Sequence, residues 1–375
     1  MPGTSRRRPT LEQVAAEAGV STSTASKVLN ARPNISAGTR RRVEEAMERL
    51  GYAPTTGPRA GTAVRTATVV FRTLADTYAM RVLEGVLASA REHGVEVVVD
   101  VLDVRGSERG TSGSASVGTS AGTSVGTAPG TAGGTAPLSP AWIRRQAARG
   151  RVGVVLVTSE PTAEQHRLLR AHGVAVVHVD PANPLDDSTV SVGSANFSGG
   201  VQATRHLLDL GHRRIAFAGG GPTFQPSAER LQGYLSTLRT AGVEADEALV
   251  RSRAHTFEAG VAMADELLDR TDRPTAVFAA SDSIALGVLA SAQRHGLRVP
   301  QDLSVVGFDD SSAAVSSVPA LTTVRQPVAE MGRVALRTLL QLARGERVDS
   351  HHVELATTLV VRDSTAAPSA APAGA

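Results

Sequence analysis

Two hydrophobic rhythms divide this chain. Over residues 10–50 apolar side chains recur at intervals of three and four; from residue 67 they gather into short unbroken runs separated by amphipathic stretches. The first rhythm predicts helices, the second buried strands alternating with helices. In PTLEQVAAEAGV, Thr10 and Gln13 have the spacing of a capping box. Leu11, Val14, Ala15 and Ala18 make one apolar face, and Gly19 ends the helix at a tight turn. A second helix runs from the N-cap Ser21 to about Asn30, with Ala25, Val28 and Leu29 inward. Pro33 interrupts, and Ser36 caps a third helix whose Val43, Ala46, Met47 and Leu50 point inward. Helix, glycine-containing turn, helix and supporting helix predict a small all-α helix-turn-helix head.

The apolar runs ATVVF, VEVVVDVL, GVVLVTS, VAVVHVD, RIAFAGG, TAVFAAS and LSVVGF, with helical stretches between them, predict an α/β body of doubly wound parallel sheet. The pattern leaves open whether that body holds one sheet or two. Residues 106–137 break the rhythm: Gly-Thr recurs every four residues through much of the stretch, with almost no bulky apolar side chain. Such a tract cannot bury enough surface to offset its ordering entropy, so a disordered insertion is expected.

Charge sharpens the division. Residues 1–65 hold 11 basic and 5 acidic residues, although the whole chain has 39 Lys and Arg against 36 Asp and Glu. A basic head on a mildly acidic body is the asymmetry of a head that binds a polyanion. The helix at 21–30 fits that role, since it leaves Thr22, Ser23, Ser26 and Lys27 (the chain's one lysine) on its outer face. Short hydroxyls and one cation can reach base edges and phosphates in a major groove without clashing. No cysteine is present, which excludes disulfides and thiolate metal sites. No apolar run approaches the roughly 18 residues of a membrane span, and the N-terminus lacks the apolar core of a signal peptide, so a cytoplasmic protein is expected.

Other chemistries find no support. GTSAG and GTSVG match the G-x-S-x-G hydrolase pattern but lie in the Gly-Thr tract, away from any strand-to-helix turn. AGGGP is neither a dinucleotide fingerprint nor a phosphate loop. His351 and His352 are adjacent and cannot share one helix face as metal ligands. Neither an enzyme, a cofactor nor a metal is expected.

LEQVAAEAGVSTSTASKVLN followed by ISAGTRRRVEEAMERLGYAP resembles the DNA-binding head of the LacI/GalR family of bacterial transcription regulators. The resemblance implies that Thr22, Ser23 and Lys27 read bases, and that Ser21, Thr24, Asn30, Ser36, Thr39 and Tyr52 touch the sugar-phosphate backbone. The family often has Arg where Lys27 stands; lysine offers a point charge rather than a planar fork. After YAP the family usually has a hinge helix with a leucine wedge. This chain has TTGPRAGTAVRT, whose glycines and proline disfavour a helix. Arg59 and Arg65 are expected to follow the minor groove's negative potential instead.

The resemblance covers nearly all of 67–363, through SVGSANFSGGVQATRHLLDLGHRRIAF, SDSIALGVLASAQRHGLRVPQDLSVVGFDD and PALTTVRQPVAEMGRVALRTLL. It implies two lobes like those of periplasmic sugar-binding proteins, clasping a ligand at the carboxyl ends of their strands, with chain crossovers near 182–192 and 316–325. It places Asn196, Arg230, Ser281, Asp282 and Asp309 at or beside the ligand. A saccharide site also needs aromatic faces: Phe197, Phe257 and Phe308 are candidates, with His255 at the family's aromatic position. The expected organisation is a head at 1–55, a hinge at 56–66, an effector-binding and dimerisation body at 67–365, and a disordered tail at 366–375. The expected function is a homodimeric repressor of a carbohydrate-utilisation operon, released from double-stranded operator DNA by a mono- or oligosaccharide. A transport solute-binding protein, a sugar-modifying enzyme and a corepressed or ligand-independent regulator stay open as alternatives.

Overall fold

In the computed structural model the described residues are 10–29, 35–50, 65–74, 77–102, 136–159, 161–183, 187–221 and 224–369. They fall into two compact units divided between residues 64 and 65.

The first unit is three helices, α1 (Leu11–Glu17), α2 (Thr22–Leu29) and α3 (Ala37–Leu50). Thr10 and Gln13 close the capping box reciprocally. Gly19 takes the left-handed turn (φ 63°) between α1 and α2. Ser21 Oγ accepts from Thr24 N at 3.2 Å and Ser36 Oγ from Thr39 N at 3.2 Å, capping α2 and α3. Val14, Ala15, Ala18, Ala25, Val28, Val43 and Ala46 form the core.

The second unit contains, in chain order, β1 (Arg65–Phe71), α4 (Thr77–His93), β2 (Val95–Val101), α5 (Pro140–Ala148), β3 (Gly153–Val157), α6 (Ala163–Ala171), β4 (Val176–Val179), β5 (Ser191–Ser194), α7 (Asn196–Asp209), β6 (Ile215–Gly219), α8 (Gln225–Thr240) and β7 (Val250–Ser252). There follow α9 (Phe257–Leu268), β8 (Ala276–Ala279), α10 (Asp282–Arg294), β9 (Ser304–Asp309), α11 (Ser312–Ser316), β10 (Thr322–Arg325), α12 (Val328–Ala343), β11 (His352–Leu355) and β12 (Thr358–Val360). They build two six-stranded sheets, one per lobe: β11-β5-β4-β3-β1-β2 in lobe 1 and β12-β10-β9-β8-β6-β7 in lobe 2. Every pairing is parallel except β10 with β12. Helices cover both faces of each sheet, so the strands are apolar on both sides. In lobe 1, α4 and α12 pack on one face, with α5 and α6 on the other. In lobe 2, α9 and α10 face α7 and α8 across the sheet.

The chain passes between lobes three times: at Ala195 from β5 to α7, at Gln326 and Pro327 from β10 to α12, and between β11 and β12 at residues 356–357. The expected crossovers were too early, because β5 and β10 each complete a sheet before the chain leaves it. The third passage was not anticipated.

Boundaries shift as well. Arg65 and Thr66, expected in the hinge, already pair with Val95 and Glu96. The expected tail is docked at its start: Ala366 N donates to Ser304 Oγ at 3.0 Å, and Ser369 Oγ donates to the Gln301 carbonyl at 2.5 Å. Hinge residues 56–64, insertion residues 106–135 and tail residues 370–375 lie outside the described residues; Ala136 and Pro137 enter the turn before α5. No described helix is long and apolar enough to cross a membrane.

Candidate functional site

In the head, burial of Ala25 and Val28 turns the opposite face of α2 outward, exposing Thr22, Ser23 and Lys27. Ser21 Oγ lies 3.0 Å from Ser23 Oγ and 2.8 Å from Thr24 Oγ1, so these hydroxyls orient one another at the helix start. Thr24 and Ser26 are half-buried. Ser36 is exposed at the start of α3, its Oγ 2.8 Å from that of the half-buried Thr39. Asn30, Tyr52 and Arg59 lie outside the described residues. The exposed set matches what a groove-reading helix requires: short donors and acceptors around one cation.

In the second unit the polar residues gather between the lobes, at the carboxyl ends of the strands. Arg230, on α8, is only 4% exposed. Its Nε donates to Asn196 Oδ1 at 2.9 Å and its Nη1 to the Ala280 carbonyl at 2.6 Å. The guanidinium carbon sits 3.8 Å from the Phe308 ring centroid, and Nη1 lies 3.9 Å from Asp309 Oδ1. Burial pulls the Arg230 guanidinium below its ordinary value, opposed by the Asp309 and Asp180 carboxylates.

Asp309 ends β9 with φ 120°, a conformation that costs an L-residue on the order of 1–3 kcal/mol and persists only when the surroundings impose it. Gln326 Nε2 donates to its Oδ1 at 2.5 Å. Burial first, moderated by Arg230, and then the nearby Asp282 charge push the Asp309 carboxyl up to about 7. Behind it, Asp282 is fully committed: Thr323 Oγ1 donates to Oδ1 at 2.6 Å and Ser311 N to Oδ2 at 2.7 Å. Burial raises the Asp282 carboxyl to about 6.

Lobe 1 contributes Tyr78 and Asp180. Tyr78 OH donates to Asp180 Oδ2 at 2.5 Å, and Ser194 N to Asp180 Oδ1 at 3.3 Å. Burial raises the Asp180 carboxyl above its usual range. The lobes touch directly where Gln225 N donates to the Ala182 carbonyl at 2.7 Å and Arg81 Nη1 to the Asp310 carbonyl at 3.3 Å. An interlobe cavity of about 270 Å³ is lined by Asp180, Ser194, Asn196, Gln225, Glu229 and Glu354, among others.

Asn196, Arg230 and Asp309 therefore come together as expected. Ser281 is buried beside them as the N-cap of α10, its Oγ accepting from Ile284 N at 3.3 Å. Four residues take other places. Asp282 faces β9 and β10 rather than the cleft, because its Oδ2 holds the turn after β9 through Ser311 N and its Oδ1 is taken by Thr323 of β10. Phe308 is completely buried beneath Arg230 and offers no free face for stacking. Phe197 is 47% exposed and opens onto a separate groove with Leu235, Arg239 and Val243, since α7 turns it a residue's step away from Asn196. Phe257 is likewise on the surface, at the start of α9. His255 stands nearer the cleft, edge-on to Phe224 with ring centroids 5.1 Å apart. Tyr78, Asp180, Ser194 and Gln326 escaped sequence reasoning; the aspartate after an apolar run, as in VVHVD, was the one local signal available.

Comparison with known proteins agrees with this division. Residues 10–55 match the family model described as bacterial regulatory proteins, lacI family, and residues 204–365 match that of a periplasmic binding protein-like domain. The chain is 37% identical over 367 residues to the HTH-type transcriptional regulator CelR of Thermobifida fusca, covering 96% of this chain and 99% of that one. Among solved structures it resembles a CelR-cellobiose complex (33% identity, TM-score 0.65, 95% of this chain and 100% of that chain). It also resembles the lac repressor dimer bound to operator and the anti-inducer ONPF (26% identity, TM-score 0.65, 96% and 100%).

Proposed function

The chain belongs to the LacI family of bacterial regulatory proteins, and from that premise we propose that it represses carbohydrate-utilisation genes until a saccharide enters its interlobe cleft. It is a DNA-binding transcriptional regulator rather than an enzyme. The observation that carries the carbohydrate reading is the grouping of Arg230, Asn196 and Asp309 at the strand ends of lobe 2, opposite Tyr78 and Asp180 of lobe 1. Such a set offers both donors and acceptors, which a neutral polyhydroxyl compound can satisfy together. The relative solved with cellobiose makes a gluco-disaccharide the first effector to try.

In this reading the head spans 1–55, the linker 56–64, and the body runs from β1 at Arg65 through the docked residues to Ser369. Two heads of a homodimer read the half-sites of a near-palindromic operator in the cytoplasm, with Thr22, Ser23 and Lys27 on base edges. Ser21, Thr24, Ser26, Asn30, Ser36, Thr39, Tyr52 and Arg59 act on the backbone and groove wall. Effector and operator favour different lobe arrangements, so each weakens binding of the other by the same factor. A ligand with equal affinity for both arrangements would shift nothing.

The test has two arms. Thermal shift of the full chain against mono- and oligosaccharides, cellobiose included, should find at least one stabilising sugar. That sugar should then weaken binding to an operator selected from random duplex DNA. Selection of no DNA sequence would remove the regulator's target, and stabilisation by no sugar would remove the carbohydrate reading.

A further inference from the structure

Lobe 1 has a second cavity, of about 700 Å³, at the amino ends of β1, β3 and β4, the opposite end of its sheet from the cleft. Four arginines line it: Arg65 opens β1, Arg151 precedes β3, Arg170 is on α6 and Arg344 follows α12. Among the described residues no Asp or Glu does. The remaining wall is largely apolar, with the hydroxyls of Ser188 and Thr189. On one side His166 stacks on the buried His178, their ring centroids 5.1 Å apart.

The charges here do not cancel. Arg344 is committed, its Nε and Nη2 donating to the two oxygens of Glu346, the second at 2.9 Å. No ion pair among the described residues engages Arg65, Arg151 or Arg170, whereas Arg214, Arg251 and Arg294 of lobe 2 each hold a carboxylate. Arg151 is fixed in place: Nη1 donates to Thr68 Oγ1, which donates onward to the buried Gln146 Oε1 at 3.0 Å. Burial first, and then the neighbouring Arg149 charge, pull the Arg151 guanidinium below its ordinary value. The helices α5, α6 and α12 all end at this rim. Their carbonyl ends supply about one and a half negative charges together, against three guanidiniums without a carboxylate. The cavity stays positive.

We propose that this cavity is a second ligand site, taking a small phosphate-bearing anion. Guanidinium forks match phosphate oxygens two at a time, and Arg65 and Arg170 bring theirs beside the fixed Arg151. The volume is that of a small-molecule site, and the apolar wall suits the organic part of a phosphate ester. A concave site of this kind fits a small anion better than the flanked phosphates of a duplex. It shares no lining residue with the interlobe cavity. The two meet through β4, which has His178 within it and is followed by Asp180 of the cleft. An anion here therefore acts on a strand that also carries the cleft.

The test is calorimetric titration of the full chain with inorganic phosphate and with ribose 5-phosphate, at an ionic strength held constant with chloride. Saturable binding is expected. Tighter binding of ribose 5-phosphate assigns a phosphate ester and equal binding the free ion, and either sustains the site. Arg65→Ala combined with Arg170→Ala should weaken binding about tenfold or more, while Arg205→Ala combined with Arg239→Ala, on α7 and α8, should leave it within about twofold. All four of these arginines are exposed. Saturable binding of neither anion would overturn the proposal, as would parental affinity in the first pair. Equal weakening by both pairs would reduce the effect to general charge attraction and overturn it too. If the first pair instead lowers operator affinity and its salt slope while neither anion binds, this face meets DNA phosphates and the proposal fails.

Discussion

At Arg230 the guanidinium covers the Phe308 ring while Nε and Nη1 are bound to Asn196 and the Ala280 carbonyl, so the side chain is pinned before any ligand arrives. Asp309 faces it with a carboxyl raised to about 7 against an ordinary 3.8. The folded chain thus keeps this proton where the unfolded chain has already lost it, and the group's contribution to stability falls as pH rises from about 4 to about 7. Asp309→Asn removes that titration. Urea unfolding at pH 4.5, 6 and 7.5 should show the variant gaining on the parent across the window; a constant difference would show that Asp309 ionises normally. In the head, Lys27 and Arg41 are both exposed cations, on α2 and α3. Lys27→Ala should narrow the gap between selected operator and scrambled duplex by about 1–3 kcal/mol. Arg41→Ala should weaken both alike and reduce the salt slope by at most about 1. Competition binding at several salt concentrations distinguishes these outcomes, and equal losses for Lys27→Ala on both DNAs would take base reading away from it.

Between elements, close helix approach depends on missing side chains. Gly85 of α4 and Gly332 of α12 meet the backbone of the opposite helix, where added Cβ atoms would lie 1.8 Å from the Ala329 carbonyl oxygen and 2.2 Å from that of Val82. These helices form one cover of the lobe 1 sheet, with Val82, Val86, Met331 and Leu339 in the same core. A methyl at Gly332 must push the helices apart or unseat Met331. Gly332→Ala should therefore cost on the order of 1–3 kcal/mol, as overpacking does, even though alanine favours a helix more than glycine. Thermal or urea unfolding of the full chain reads this directly. A stabilised variant would mean the helices have slack that the present spacing does not suggest.

Across the molecule, the three crossovers carry the site into the joint between lobes. Gln326 lies in one crossover and is 1% exposed; Nε2 donates to Asp309 while Oε1 accepts from Ser194 Oγ at 2.6 Å. Ser194 ends β5 at another crossover. A ligand that repositions Asp309 thus pulls on both strands about which the lobes turn. Gln326→Leu should leave a chain that still binds operator but whose operator affinity responds less to effector, with the coupling reduced by about 1 kcal/mol from a typical 1–3. Operator titrations with and without the stabilising sugar measure that ratio. An unchanged ratio would place the coupling in other contacts, such as the Arg81 and Gln225 bonds between lobes.

What the sequence determined by itself is what local chemistry controls. The Thr10–Gln13 capping box, the Ser21 and Ser36 caps, Gly19 and the helical spacing of Val14, Ala25 and Val43 specify the head, because each acts within a turn or one small core. The seven apolar runs correspond to β1, β2, β3, β4, β6, β8 and β9, since strands covered on both faces must be continuously apolar. The strands β5, β7, β10, β11 and β12 are three or four residues long and partly polar, and their partners are far away: His352 pairs with Ser191. Nothing local marks such a segment as a strand. The candidate site divides in the same way. Asn196, Arg230 and Asp309 stood out through motif and strand-end position. Tertiary structure alone decided that Phe197 turns outward, that Asp282 and Phe308 support the site from behind, and that Tyr78, Asp180 and Gln326 complete it. Burial, backbone angle and the meeting of two lobes set those roles, and these depend on residues from 17 positions apart, as Asp309 and Gln326 are, to 132, as Ser194 and Gln326 are.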